Sequence, residues 1–349
     1  MTVTGSFSLP DIAPLDPELG AMLRASIDAK AKPPGSLGRL EALAVQIGQI
    51  QASLTPQVER VRAYVFAGDH GLNAEGVSAY PSAVTVAMVA TFLAGKASVS
   101  ALSRACDVEV KVVDAGVDAE LAPHPDLLDR KVRRGTRNAA VEPAMSEGEL
   151  ATALAAGAAL ARAAADEGVD ALVLGEMGIG NSASATLLMH RLAPAALEDC
   201  IGVGAGHDAE GLARKASVLA RAAARSAATE PMAVLREFSG LEIAMMAGAV
   251  LGGAAARRVV VVDGFISSAA ALAAIRLEPR AADYCVFAHA SAERGHARLL
   301  ETLGAEPLLQ LGMRLGEGTG GVLAAPLLRA AARLPGEIAS LDDVLSGRL

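Results

Sequence analysis

Glycine-rich turns that each carry one charged residue recur along this chain, and they are where its chemistry is to be sought. In Gly175-Glu176-Met177-Gly178-Ile179-Gly180-Asn181-Ser182 a carboxylate and a carboxamide stand among glycines. Such glycines let backbone N–H groups approach an anion, and a helix starting there adds partial positive charge. Gly202-Val203-Gly204-Ala205-Gly206-His207-Asp208 repeats the arrangement, with Lys215 following it in a helical stretch. Two such turns and one lysine suggest a single phosphate gripped from both sides. A merely solvated helical lysine is the plain alternative for Lys215. Neither turn is a dinucleotide fingerprint or a P-loop, because no GxGxxG follows the first apolar run and no GK[ST] closes a turn.

Further turns add polar groups. Gly68-Asp69-His70-Gly71 continues through Glu75, Gly76, Val77, Ser78, Ala79 and Tyr80 to Pro81. A polar loop of this length commonly lines a site, yet Asp69 is equally readable as a turn cap and His70 as a satisfied core histidine. Asp263-Gly264-Phe265-Ile266-Ser267-Ser268 and His289-Ala290-Ser291-Ala292-Glu293 offer small polar groups to a sugar or an aromatic acid. Leu315-Gly316-Glu317-Gly318-Thr319-Gly320-Gly321 isolates a carboxylate between glycines; taken alone, Glu317 reads as a loop acid or helix-entry cap. The histidines His70, His124, His190, His207, His289 and His296 lack HExxH or paired spacing, and there is no CxxC, so no metal is expected.

The elements that must hold these turns are legible in the hydrophobic pattern. Continuously apolar runs at Val61–Ala67, Val108–Asp114, Ala171–Leu174, Cys200–Val203, Arg258–Val262 and Tyr284–Ala288 read as buried parallel strands. Helical stretches alternate with them at Ser82–Arg104, Glu147–Ala165, Ser182–Leu192, Glu210–Ala227, Leu241–Ala256 and Ser267–Ile275. That βαβα order predicts an α/β fold with a doubly wound, mostly parallel sheet of about six strands flanked by helices. Ligands of such sheets bind beyond the carboxyl ends of the strands, where these turns lie. Both chain ends are helical, at Glu18–Ile27, Leu37–Gln51 and Gly321–Leu334. Residues 1–55 and 305–349 are therefore expected to form a small helical domain beside a large domain of residues 56–304.

Composition narrows the possibilities. Hydrophobic residues make up 52% of the 349, with 35 glycines, 3% aromatics and no tryptophan, so the core must be built of Ala, Val, Leu and Ile in closely packed helices. The net charge of −8 is dispersed, which argues against nucleic acid as a partner. Cys106, Cys200 and Cys285 lie far apart in apolar surroundings and read as buried thiols. The N-terminus lacks a signal-peptide pattern. The most apolar stretch, Ile243–Ala256, is shorter than the roughly 20 residues of a membrane span. A cytoplasmic protein with no membrane span is expected.

Taken together, KPPGSLGRLE (Lys32–Glu41), AGDHG with GVSAYP, GEMGIGNS, VGAGHD with GLARKA, VVDGFISS and LGEGTGG resemble the nicotinate-nucleotide:dimethylbenzimidazole phosphoribosyltransferase family of cobalamin lower-ligand assembly. The resemblance runs over most of the chain, in the family's order and spacing. It implies transfer of the 5-phosphoribosyl group from nicotinate mononucleotide to 5,6-dimethylbenzimidazole, a homodimer, and no cofactor. By the same resemblance Glu317 matches the general base. Ser78, Tyr80, Glu176, Met177, Leu315 and Gly316 border the acceptor base. Gly178, Gly180, Asn181, Gly204, Gly206 and Lys215 match phosphate and ribose contacts, and Asp263, Gly264 and Ser291 the surroundings of nicotinate and ribose.

The implied chemistry needs few charged groups. The ribose of nicotinate mononucleotide is bonded to a cationic pyridine nitrogen, so nicotinate departs without a proton, and no pyrophosphate needs a metal. Ala87 stands where relatives often have Gln, and Ala290 with Arg294 alters a loop usually written with Arg and Pro. These departures bear on acceptor selectivity and the nicotinate contact. A relative that ribosylates adenine or a phenol is thus the alternative within the family. Outside it, a Rossmann dehydrogenase would need the missing dinucleotide fingerprint, and a non-catalytic nucleotide sensor would tolerate loss of Glu317, which is present.

Overall fold

A computed structural model describes residues 7–193, 195–202, 206 and 208–348. Among them, β1 (Val61–Gly68), β2 (Glu109–Gly116), β3 (Leu127–Asp129), β4 (Ala171–Met177), β5 (Val259–Val262) and β6 (Cys285–Phe287) form one sheet in the order β3-β2-β1-β4-β5-β6. Every pairing is parallel. The helices before β4 are α1 (Pro17–Asp28), α2 (Arg39–Gln51), α3 (Ala83–Leu93), α4 (Ser98–Ala105) and α5 (Glu147–Asp166). After β4 come α6 (Asn181–Leu192), α7 (Leu197–Cys200), α8 (Ala209–Arg225), α9 (Pro231–Phe238) and α10 (Leu241–Ala255). The chain closes with α11 (Phe265–Leu277), α12 (Arg294–Leu303), α13 (Thr319–Glu337) and α14 (Leu341–Ser346).

Helices cover both faces of the sheet, which is why β1, β5 and β6 are buried at every residue; β5 and β6 read as unbroken apolar runs, and β1 is interrupted by Arg62, which pairs with Glu109 and Glu167. The Ala- and Gly-rich palette allows close helix contacts. At the α5–α10 crossing, a Cβ added at Gly248 would stand 2.1 Å from Leu154 O, and one at Gly157 only 1.8 Å from Met245 O. Only glycine permits that approach.

From β1 the chain winds outward to β2 and β3, then returns to the opposite side of β1 for β4, β5 and β6. The connections leaving β1 and β4 therefore diverge to opposite faces and open a crevice between them. Near the termini, α2 packs on α13 and α1, and an antiparallel bridge joins Lys30 to Ser340.

Three expectations are corrected. Cys200 ends the short helix α7 rather than opening a strand, because the acidic Glu198 and Asp199 start a helical turn; Val203 lies outside the described residues. The sixth strand is instead β3, three residues at the sheet edge too short to show periodicity. The stretch Ser82–Arg104 is two helices, broken at Gly95 in a left-handed conformation (φ 67°), with Arg104 donating to Gly95 O at 3.0 Å. The break divides the apolar stretch Ala83–Ala105, which by length and composition alone would pass for a membrane helix. Cys200 and Cys285 are buried thiols, whereas Cys106 is partly exposed beside Arg329, at the end of α4.

Candidate active site

A cavity of about 640 Å³ opens at the crevice beyond the carboxyl ends of the strands. The connection after β1 gives it Val77, Ser78 and Tyr80, and that after β4 gives it Glu176 through Ser182. Gly264 through Ser267 follow β5; His289, Ser291 and Glu293 follow β6; Arg314 through Glu317 close the remaining wall.

Glu317 is held by backbone conformation and by hydrogen bonds. Gly316, Glu317 and Gly318 are all left-handed, at φ 88°, 63° and 85°, a conformation that is unusual for a side-chain-bearing residue such as Glu317. Asp263 stabilises the turn: its carboxylate accepts from Gly318 N at 3.2 Å and Gly321 N at 2.9 Å. The Glu317 carboxylate in turn accepts from Val99 N, in the first turn of α4, at 3.2 Å. Burial raises the Glu317 pKa; the Val99 bond works against that shift, and Asp263 adds to it. A carboxylate short of solvation yet facing a cavity is a suitable proton acceptor.

Two further acids lie close by, Glu176 on the wall and Asp263 behind it. Glu176, with Asn181 Nδ2 donating to its Oε2, is pushed up to about 8, first by burial and then by Asp263. It is mainly protonated near neutrality. Asp263 is pushed up to about 7 by burial, against the backbone N–H groups that it accepts from.

Lys215 is fully buried and bridges the 175–182 and 202–208 turns. Its Nζ donates to Ser182 Oγ at 3.0 Å and to Gly202 O at 3.1 Å, and burial lowers its pKa to about 8. Gly180 and Gly206 take left-handed conformations, at φ 97° and 102°.

The structure thus brings Ser78, Tyr80, Glu176, Met177, Gly178, Gly180, Asn181, Gly264, Ser291, Leu315, Gly316 and Glu317 to one cavity. Lys215 and Asp263 lie behind its wall, reaching it through Ser182 and through the Glu317 turn. Gly204 lies outside the described residues. Sequence reasoning missed Val84, Met88 and Arg314, which also line the cavity, as does His289 of the turn after β6. The i, i+4 spacing of Val84 and Met88 on α3 was the available signal. Ala87, between them, is exposed.

An open parallel sheet with a cavity at its switch point that sets a few acids among mostly apolar walls is the build of an α/β enzyme that takes its substrate there. Comparison with known proteins narrows the class. Residues 12–344 match the family model described as "Phosphoribosyltransferase". A relative from Cupriavidus necator, named nicotinate-nucleotide--dimethylbenzimidazole phosphoribosyltransferase, is 51% identical over 95% of this chain and 96% of its own. One of the same name from Ralstonia nicotianae is 52% identical over 95% and 94%. The crystal structure of CobT from Thermus thermophilus superposes with a TM-score of 0.91 at 44% identity, covering 94% of this chain and 98% of that one. The chain belongs to this phosphoribosyltransferase family.

Proposed function

We propose that the protein transfers the 5-phosphoribosyl group of nicotinate mononucleotide to 5,6-dimethylbenzimidazole, giving α-ribazole 5′-phosphate and nicotinate in nucleotide-loop assembly of cobalamin. The observation that carries this reading is Glu317, fixed on the cavity wall in a left-handed turn that packs against the start of the 175–182 loop.

In the proposed reaction the backbone N–H groups of Gly178, Gly180, Gly204 and Gly206, with Asn181 and Lys215, hold the phosphate. Gly264 and Ser291 border nicotinate and ribose. Asp263 acts through the turn it holds rather than by touching the sugar, since Gly318 and Gly321 already occupy its carboxylate. One benzimidazole nitrogen attacks the anomeric carbon as the bond to the pyridinium nitrogen breaks, and that bonding pair neutralises the departing nicotinate. The other benzimidazole nitrogen yields its proton to Glu317. Ser78, Tyr80, Met177, Leu315 and Gly316, with neutral Glu176, border the acceptor.

The α3 side of the cavity is apolar at Val84 and Met88. That favours a methylated benzimidazole over adenine, whose amino group would lose its hydrogen bonds to water there. We further propose a cytoplasmic homodimer in which residues 1–55 and 305–349 form a small helical domain beside the sheet domain of residues 56–304.

The test is to incubate purified protein with nicotinate mononucleotide and a panel of benzimidazoles, adenine and phenols, identifying products by mass and NMR. The expected outcome is released nicotinate and an α-linked product, fastest with dimethylbenzimidazole. A β-linked product, or no nicotinate released with any acceptor, contradicts the proposal.

A further inference from the structure

The AGDHG turn contributes more than the wall that follows it. His70 is buried at the end of β1, with Nε2 2.6 Å from Glu242 Oε1 and Nδ1 3.0 Å from Ser184 Oγ. Glu242 belongs to the first turn of α10 and Ser184 to the first turns of α6, so one imidazole ties the sheet to two helices. Burial works to lower the His70 pKa, but the Glu242 carboxylate, helped by Asp69, turns the net shift upward, favouring an ion pair.

A buried ion pair is a poor source of stability, because desolvation offsets the attraction. What rests on this one is the 175–182 turn. A Cβ added at Gly178 would stand 2.5 Å from Gly68 O, 3.2 Å from His70 Nε2 and 3.3 Å from Glu242 Oε1. One added at Gly180 would stand 3.5 Å from the His70 Cβ. The opposite side of both glycines faces the cavity. Gly240, under the pair, is equally confined: a Cβ there would stand 2.4 Å from His70 Cε1.

We infer that His70, locked by Glu242 and Ser184, is a positioning residue: a rigid platform that sets the height and direction of the Gly178 and Gly180 backbone N–H groups offered to the substrate phosphate, the Ile179 N–H between them being held by Thr85 Oγ1. The inference rests on the reading that this loop binds phosphate. It assigns His70 no contact with substrate.

The experiment compares the parent with His70→Asn and Glu242→Gln, reading KM for each substrate, kcat, melting temperature and the Kd of inorganic phosphate by calorimetry. His70→Asn leaves Nδ1-like bonding to Ser184 but withdraws support from Gly178, and a displaced anion loop is expected to raise KM for nicotinate mononucleotide and the phosphate Kd about tenfold. KM for dimethylbenzimidazole and kcat at saturation stay within about threefold, because Glu317 and the acceptor wall are untouched. Glu242→Gln keeps the shape and one hydrogen bond, and should hold phosphate within about twofold of the parent.

Should His70→Asn fail to fold around an unpaired Glu242, the double variant with Glu242→Gln removes that charge and is expected to show the same KM rise. Folded variants with unchanged KM and phosphate Kd, or a loss confined to kcat, overturn the inference. The phosphate titration needs no turnover, so a parent that binds phosphate but transfers nothing defeats the transfer reading alone.

Discussion

A carboxyl group removed from water titrates late, and at this site the delay divides labour between two glutamates. Glu176, pushed up to about 8, carries its proton near neutrality, whereas the rise that burial gives Glu317 is opposed by the Val99 N–H bond at the N-terminus of α4, which favours its charged form. The burial of Glu176 has a consequence for stability. The folded state keeps its proton up to about pH 8, while the unfolded chain releases it near the ordinary value of 4.5, so between those values the folded form binds more protons. Stability from this group is therefore complete below pH 4.5 and falls as pH rises toward 8. Melting temperatures of the parent should decline across that window relative to a Glu176→Gln variant, which has no proton to lose; parallel profiles would contradict the assignment. Little of this was legible in the residues alone. Glu176 and Glu317 stand out as acids among glycines, but that Asp263 grips the Glu317 turn depends on a contact spanning two distant segments, which no local pattern encodes.

Among the elements, legibility followed length and the contrast between apolar runs and glycine turns. β1, β4 and β5 are apolar enough to be seen, and α5 and α6 have clear starts, at the Ser146 capping box and the glycine turn. Three-residue β3 was invisible, and the apolar run at Cys200 mimicked a strand that the acidic turn before it converts to helix. The break between α3 and α4 was hidden because the chain stays apolar through it; Gly95 alone marks the point. How firmly the helices are fixed can be tested at the crossing of α5 and α10. A Gly248→Val variant would drive its side chain into the Leu154 backbone, 2.1 Å from the first added carbon. Overpacking of a core costs on the order of 1–3 kcal/mol or more, so the melting temperature should drop by a few degrees, about 1.4 °C for each kcal/mol in a chain of this size. An unchanged melting temperature would show that the helices are free to separate. Because α10 carries Glu242 beneath the cavity, nicotinate mononucleotide binding is expected to weaken along with stability.

For the whole molecule, the sequence announced a doubly wound sheet but not its strand order, because nothing local states that β4 lies against β1 rather than β3. That order decides where the cavity opens. It places the glycine loop of β4 next to the connection from β1, and the turn before α13, which packs against α2 and the sheet, sets Glu317 on the wall of the same cavity. In the proposed reaction that carboxylate takes the proton of the attacking heterocycle. The decisive measurement is the single-turnover rate of Glu317→Gln at saturating substrates, with KM for nicotinate mononucleotide followed alongside. Loss of a general base should lower the rate by about 10²–10⁴-fold while that KM stays near the parental value. A Glu317→Gln enzyme that transfers phosphoribose as fast as the parent would show that the proton leaves by another route.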